Sequence, residues 1–173
     1  ILIMAGGTGG HVFPGLAVAD YLQRAGWRIV WLGTENGMEM KLVPRHGYEI
    51  EAISFSGLRG TRLMTWLLLP LRLIRAFTQS IAVIRRVRPD VVLGMGGYPA
   101  FPGGMMASLL NKPLIIHEQN SLPGLTNRLL AKLADKIMLG FPGAIDADPK
   151  KTVFSGNPVR AEIAQIDPPQ KRF

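Results

Sequence analysis

The chain has 173 residues, no cysteine, 20 glycines and 13 prolines, and carries 20 Lys and Arg against 12 Asp and Glu. Its net charge of +8 is concentrated: seven arginines and no acid lie between Arg59 and Arg88, and the remainder holds 13 basic against 12 acidic side chains. That excludes a protein coating nucleic acid with evenly spread charge, the 47% apolar content excludes disorder, and the lack of cysteine excludes a disulfide scaffold or a thiolate metal site.

Short apolar runs alternate with helical patterns along the chain. The first strand is expected at Ile1–Ala5, followed by Gly7-Thr8-Gly9-Gly10-His11 and a helix over Pro14–Ala25. A strand at Arg28–Leu32, a helix at Gly37–Arg45 and a strand at Tyr48–Ala52 come next. A long helix is expected over Leu63–Arg86, then a strand at Val91–Leu93 and a helix at Phe101–Leu110. Strands at Leu114–His117 and Lys136–Leu139 flank a helix at Gly124–Ala134; a last strand at Thr152–Ser155 precedes a short helix from Pro158. Strand–helix–strand repetition with apolar strands predicts an α/β domain, a doubly wound, mostly parallel, Rossmann-like sheet covered on both faces. Residues 1–160 are expected to form that domain and 161–173 to begin a linker. The opening Ile1–Ala5 runs straight into glycines, unlike a signal peptide, and both ends read as cut from a longer protein.

Ligands of such sheets bind beyond the carboxyl ends of the strands, and the distinctive loops follow strands. Gly7-Thr8-Gly9-Gly10-His11 leads to Phe13-Pro14-Gly15, and Gly94-Met95-Gly96-Gly97-Tyr98 leads to Phe101-Pro102-Gly103. Both read Gly-x-Gly-Gly-aromatic before a proline, which suits the start of a helix. Glycine turns let backbone N–H groups approach an anion, and a helix N-terminus adds partial positive charge. Two such loops on one sheet edge describe a cleft for a diphosphate. The first lacks the Gly-Lys-Ser/Thr of a P-loop and has Val12 at the third glycine of the dinucleotide fingerprint.

On a helical wheel of Leu63–Arg88, Trp66, Leu73, Phe77, Ile81 and Ile84 share one side, and Arg72, Arg75, Gln79 and Arg86 the other. Pro70 starts the long helix or separates it from a shorter one. Trp66, Leu67, Leu68 and Leu71 exceed what one sheet-facing stripe requires. Beside Arg72 and Arg75 they describe a helix lying on an anionic membrane surface. The leucine-rich spacing of the arginines argues against nucleic acid as partner.

Polar candidates follow the strands. His11 is placed to exchange a proton near neutral pH. His117-Glu118-Gln119-Asn120 closes the fifth strand, where Glu118 is a second candidate base and Asn120 a candidate substrate contact. Asn127 lies on the next helix, and Arg160 follows Gly156-Asn157-Pro158 within reach of a phosphate. Asp146 and Asp148 read as a solvated loop pair, and no cluster has the spacing of a metal site.

Together, Ala5-Gly6-Gly7-Thr8-Gly9-Gly10-His11-Val12-Phe13-Pro14-Gly15, Trp31-Leu32-Gly33-Thr34, Ser56-Gly57-Leu58-Arg59-Gly60, Gly94-Met95-Gly96-Gly97-Tyr98, His117-Glu118-Gln119-Asn120, Pro123-Gly124-Leu125-Thr126-Asn127 and Gly156-Asn157-Pro158-Val159-Arg160 closely resemble the MurG family, the bacterial N-acetylglucosaminyltransferases of peptidoglycan synthesis. The resemblance covers essentially the whole chain. It implies the N-terminal, acceptor-binding half of a two-domain GT-B enzyme. That enzyme would transfer GlcNAc from UDP-GlcNAc to the MurNAc 4-hydroxyl of lipid I, undecaprenyl-diphospho-MurNAc-pentapeptide, with inversion, giving lipid II. It further implies a peripheral position on the cytoplasmic face of the bacterial inner membrane, with no metal or other cofactor.

By the same resemblance, Thr8, Gly9 and Gly10 contact the donor and His11 is the candidate catalytic base. Asn120 and Arg160 contact the sugar nucleotide. Gly96, Gly97, Tyr98, Glu118 and Asn127 line the cleft. The family's second domain, with its uracil and ribose contacts, is absent from this sequence, so the chain alone is expected not to turn over. A dinucleotide-binding oxidoreductase domain and a non-catalytic membrane-binding module are the alternative readings, and whether His11 or Glu118 takes the proton stays open at this stage.

Overall fold

The computed structural model describes residues 1–55 and 68–166. Seven strands pair in parallel in the order β3-β2-β1-β4-β5-β6-β7. They are β1 (Leu2–Ala5), β2 (Val30–Thr34), β3 (Glu49–Ile53), β4 (Val92–Gly96), β5 (Leu114–Glu118), β6 (Lys136–Leu139) and β7 (Thr152–Phe154). The helices are α1 (Gly9–Arg24), α2 (Glu39–Arg45), α3 (Leu69–Val87), α4 (Ala100–Leu109), α5 (Leu125–Leu130) and α6 (Ala161–Ala164). The doubly wound parallel architecture is the one the strand–helix alternation predicts.

Side chains alternate between the two faces of the sheet, and each face builds its own core. Leu2, Met4, Val30 and Leu32 pack with Ala76, Val83 and Ile84 of α3, with Met106 and Ala107 of α4, and with Leu130 of α5. Ile3, Ala5, Trp31, Leu93 and Met95 pack with Val12, Leu16 and Ala19 of α1 and with Val43 of α2. The chain therefore leaves β1 toward one face and β4 toward the other. These neighbouring strands form the topological switch point, where such sheets open a crevice.

The helix boundaries differ from expectation for physical reasons. Helix α1 begins at Gly9, with Thr8 as its N-cap, so Pro14 sits inside the helix rather than at its first position. Proline at that depth lacks the N–H that would bond the carbonyl of Gly10, a sacrifice of one ladder bond. What Pro14-Gly15 supplies instead is proximity. A Cβ on Gly15 would come within 2.7 Å of the buried Trp31 ring, so the helix packs closer to the sheet than any larger residue allows. In α4 the second proline, Pro102, falls in the first turn, as expected.

Pro70 stands in the first turn of α3, which ends at a left-handed Arg88 (φ 50°). The expected helical residues 63–67, including Trp66 and Leu67, lie outside the described residues. Strands β2 and β4 run two and three residues beyond their expected ends, up to the loops that build the cleft. Helix α5 stops at Leu130 and continues as a turn, short of the expected Ala134. Of the expected linker, 161–166 are described and hold the four-residue α6.

Trp31 is fully buried, and its Nε1–H donates to the Ala5 carbonyl at 2.9 Å, linking β2 to the end of β1. Trp31→Ala is expected to lower stability by about 3–5 kcal/mol through the cavity and the lost hydrogen bond. Urea unfolding monitored by far-UV circular dichroism checks this, with a loss below about 1 kcal/mol contradicting the packing role.

Candidate functional site

The two glycine loops meet at the switch point. Gly97 has φ +82°, and a Cβ there would collide with the carbonyl of Gly6, so backbone packs directly on backbone. Glycine is the residue type that satisfies both demands. The fully buried Glu39 locks the first loop from behind. Its carboxylate accepts hydrogen bonds from the Thr34 N–H and hydroxyl, both at 2.9 Å, and from the Gly7 N–H at 3.3 Å. It lies in a hole left by Gly6, Gly33 and Gly37, where any Cβ would strike it. The sequence reading missed Glu39. The available signal was an acid preceded by three glycines at strand ends, and it acquires meaning only once those strands lie side by side.

In front of the loops is a cleft of about 680 Å³. It is lined by Thr8, His11, Gly96, Gly97, Tyr98, Glu118 and Asn127 and by the apolar Phe55, Leu69, Leu73, Phe101, Leu125 and Leu129. The structure thus gathers residues from loops after β1, β4 and β5 and from α5 around one space. Thr8 and Gly10 are exposed at the N-terminus of the 16-residue α1, and the Thr8 side chain makes no capping hydrogen bond. The backbone N–H groups of His11 and Val12 turn back to the Thr8 carbonyl at 3.1 and 3.2 Å. The amides of Gly9 and Gly10 precede these and are left for an anion.

His11 is half-buried, and its ring stands against Gly96, where a Cβ would approach Cε1 and Nδ1 to 2.8 Å. Its Nδ1 is 3.1 Å from Gln119 Oε1. Glu118 is fully buried and both its oxygens are occupied. Oε1 accepts from the Asn120 N–H (3.0 Å) and Nδ2 (2.9 Å), and Oε2 accepts from the Gly124 N–H (3.1 Å) and Asn127 Nδ2 (3.0 Å). Four donors hold this carboxylate to the loop, whereas the single side-chain contact given for His11 is to Gln119. Asn127 is 1% exposed. Its Nδ2 also donates to the His117 carbonyl at 3.0 Å, and its Oδ1 has no partner among the described residues.

Arg160 lies with its guanidinium 4.9 Å from the centre of the Phe13 ring. Phe13 in turn packs on Gly9, 3.0 Å from where a Cβ would be. The arginine is therefore beside the first glycine loop, held by a cation–π contact. Asn120 is exposed at the end of β5, and Tyr98 lies over Gly7. Asp146 and Asp148 are exposed.

Helix α3 carries the expected amphipathic pattern with a sharper division. Ala76, Ser80, Val83 and Ile84 are buried, whereas Leu68, Leu71 and Ile74 are 40%, 65% and 59% exposed beside the exposed Arg72 and Arg75. Farther along, Arg86 pairs with Glu51 at 2.6 Å, and Gln79 accepts the Ser54 N–H at 2.9 Å. The arginine-bearing side is thus not uniformly free: its apolar and basic patch is at the N-terminal end, next to the cleft-lining Leu69 and Leu73. No helix among the described residues is long and apolar enough to cross a membrane.

Residues 1–139 match the family model described as the glycosyltransferase family 28 N-terminal domain. The chain is 70% identical, over its whole length and 48% of the relative's, to the UDP-N-acetylglucosamine--N-acetylmuramyl-(pentapeptide) pyrophosphoryl-undecaprenol N-acetylglucosamine transferase of Nitrosospira multiformis. It is 64% identical to the enzyme of the same name from Nitrosomonas europaea, over 99% of this chain and 48% of that one. The crystal structure of Acinetobacter baumannii MurG superposes with a TM-score of 0.78 at 35% identity, covering 95% of this chain and 46% of that chain. The chain spans about half the length of the curated relatives it matches.

Burial pushes the His117 imidazole below its ordinary pKa, against weaker upward pulls from the Gly156 carbonyl and Glu118. An unfolded histidine titrates near 6.5, so below that pH the unfolded chain binds the proton that the folded chain resists. The contribution to stability is complete above about pH 6.5 and is lost as pH falls from there toward the depressed folded value. Thermal melts from about pH 7.5 to 5.5 are expected to show a falling midpoint with a shallower slope in His117→Asn. Equal slopes would refute the assignment.

Proposed function

Since the chain belongs to glycosyltransferase family 28, as its N-terminal domain, we propose that it is the acceptor-binding half of an inverting enzyme that transfers GlcNAc from UDP-GlcNAc to the MurNAc 4-hydroxyl of lipid I, giving lipid II. The observation that carries the reading is the cleft itself. Its lining brings the N-terminus of α1 and a histidine together with leucines and phenylalanines, two of the leucines lying on α3 beside the exposed Leu68 and Leu71. A diphosphate sugar donor and a lipid-linked acceptor require those two environments in one crevice.

The chemistry follows from the positions. His11 removes the proton from the acceptor hydroxyl, the oxygen attacks the anomeric carbon of GlcNAc, and the bond from that carbon to the UDP oxygen breaks with inversion. The negative charge gathering on the departing diphosphate meets the Gly9 and Gly10 amides and the positive end of α1. Thr8 and Arg160 flank the same anion, with Arg160 steadied on Phe13. Asn120 contacts the sugar nucleotide, while Asn127, with an unpaired acceptor at Oδ1, is suited to a hydroxyl or amide N–H of substrate. Gly96, Gly97 and Tyr98 form the acceptor side of the cleft. The uracil and ribose contacts belong to a C-terminal domain beyond this chain.

Helix α3 docks the domain on an anionic membrane. Leu68 and Leu71 enter the interface beside Arg72 and Arg75, with Trp66 and Leu67 assigned to the same surface from sequence. On this reading the enzyme is a peripheral protein on the cytoplasmic face of the bacterial inner membrane. The cleft-lining Leu69 and Leu73, on the same helix, are then close to the surface from which a polyprenyl acceptor arrives.

In the full-length enzyme, His11→Ala is expected to lower kcat by about 10²- to 10⁴-fold with UDP affinity nearly unchanged; an unaltered kcat would remove His11 from the base role. Flotation with vesicles containing anionic lipid tests docking. Joint Arg72→Glu and Arg75→Glu substitution is expected to abolish recovery in the lipid fraction, and undiminished flotation would assign the membrane face elsewhere.

A further inference from the structure

The base proposed above must carry its lone pair on the correct ring nitrogen, and a polar chain behind His11 decides which one. We propose that Gln119 and His117 are positioning residues that hold neutral His11 as its Nδ1–H tautomer, so that Nε2 is the proton-accepting atom. This rests on the reading of His11 as base, which it deepens.

The order of donors and acceptors follows from one end of the chain. The Gly156 carbonyl can only accept, so His117 Nε2, 3.0 Å away, carries a hydrogen and donates. In the neutral ring Nδ1 is then an acceptor, and Gln119 Nε2 donates to it at 3.0 Å. The same Gln119 Nε2 donates to the His117 carbonyl, also at 3.0 Å. Turning the amide over would set its oxygen against that carbonyl, so the orientation is determined by the network. Gln119 Oε1 therefore faces His11 as an acceptor, and the 3.1 Å contact requires a hydrogen on His11 Nδ1. Burial favours neutral His117, which keeps the order intact.

The chain is rigidly held. His117 and Gln119 are 3% and 6% exposed. The Gln119 carbonyl accepts from Asn157 Nδ2 at 3.0 Å, so Gly156-Asn157 after β7 clamps the end of β5 and the loop that follows it, one bond to each. Gly96, without a Cβ, leaves the His11 ring room to reach Gln119. The choice of an amide has a chemical reason. A carboxylate at this position would hold the same tautomer but add a negative charge beside a site for diphosphate. The neutral amide orients the ring, and stabilises the imidazolium once Nε2 is protonated, without repelling substrate. Other ionisable groups around His11 are Glu118 and Tyr98 in the cleft wall, Glu39 behind the Gly7 amide, His117 beyond Gln119, and Arg160 on Phe13 of the same helix.

The test uses full-length enzyme with ¹⁵N-labelled histidine. Long-range ¹H–¹⁵N spectra report the tautomer, and His11→Gln identifies the His11 signals. The expected wild-type state is neutral His11 protonated on Nδ1. In Gln119→Ala that preference should vanish, and kcat should fall about ten- to hundred-fold with KM for UDP-GlcNAc within about threefold. In Gln119→Glu the near-isosteric carboxylate still accepts from Nδ1–H. The tautomer should persist and the His11 titration should move to higher pH, while kcat stays below wild type because the second carboxylate oxygen faces the carbonyl and Nδ1 of His117 without a hydrogen to donate. An Nδ1–H tautomer untouched by Gln119→Ala, or a His11 titration unmoved in Gln119→Glu, overturns the proposal. If the alanine variant does not fold, the wild-type tautomer and the glutamate titration decide. Because the spectra do not depend on catalysis, an active His11→Ala enzyme would sink the base role alone and leave the relay to be judged on its own signals.

Discussion

The contact of Gly6 with Gly97 is the constraint on which the site depends. These residues directly follow the neighbouring parallel strands β1 and β4, and a Cβ on Gly97 would occupy the carbonyl of Gly6. Beyond that contact the chain departs to opposite faces, α1 to one core and α4 to the other. A crevice at the carboxyl edge is the geometric consequence. Glu39 makes the arrangement firm: a buried carboxylate left without donors would be costly, so the Thr34 and Gly7 donors must stay in place. The first loop is thus pinned by an acid outside the cleft, and its following amides remain free.

A division of labour follows among the carboxylates and histidines. Glu118 and Glu39 are both buried and both spend their oxygens on backbone amides and neighbouring side chains. His117 is buried, which disfavours its charged form, and His11 alone of these four is half open beside the first glycine loop. Buried charged groups here fix backbone, and the half-open titratable group is where proton transfer is proposed. The cleft combines the α1 terminus with leucines and phenylalanines, among them Leu69 and Leu73 of α3. The exposed Leu71 and Ile74 lie on the same helix beside Arg72 and Arg75.

Much of the fold was legible because each signal was local. The strand Lys136–Leu139 coincides with its apolar run, and Pro70 stands in the first turn of the long helix. Strand ends and helix starts were less legible where glycine intervenes. The expectation that Pro14 opens α1 failed because Thr8 and two glycines begin the helix earlier, and close packing of Gly15 on Trp31 outweighs one lost ladder bond. Within the site, the glycine loops, His11, Glu118, Asn120 and Arg160 stood out by composition and position after strands. Gln119 and Glu39 did not, since an amide and an acid reveal their partners only in three dimensions. The basic segment shows the same limit: its charges are visible in sequence, but the pairing of Arg86 with Glu51 joins a helix to a strand 35 positions away.

By itself, then, the sequence determined the alternation of strands and helices, the two glycine loops, the amphipathic basic helix and the resemblance to a transferase family. Those properties reside in periodicity, turn chemistry and short motifs, all of which act over a few residues. The tertiary structure decided which candidates share a space and what each is free to do. It alone assigns Glu118 to its loop, Arg160 to Phe13 and Gln119 to both His117 and His11. The reason is that hydrogen-bond saturation and burial are properties of the whole assembled edge of the sheet. A carboxylate or imidazole acquires its role only when the donors around it, drawn from distant strands, have been counted.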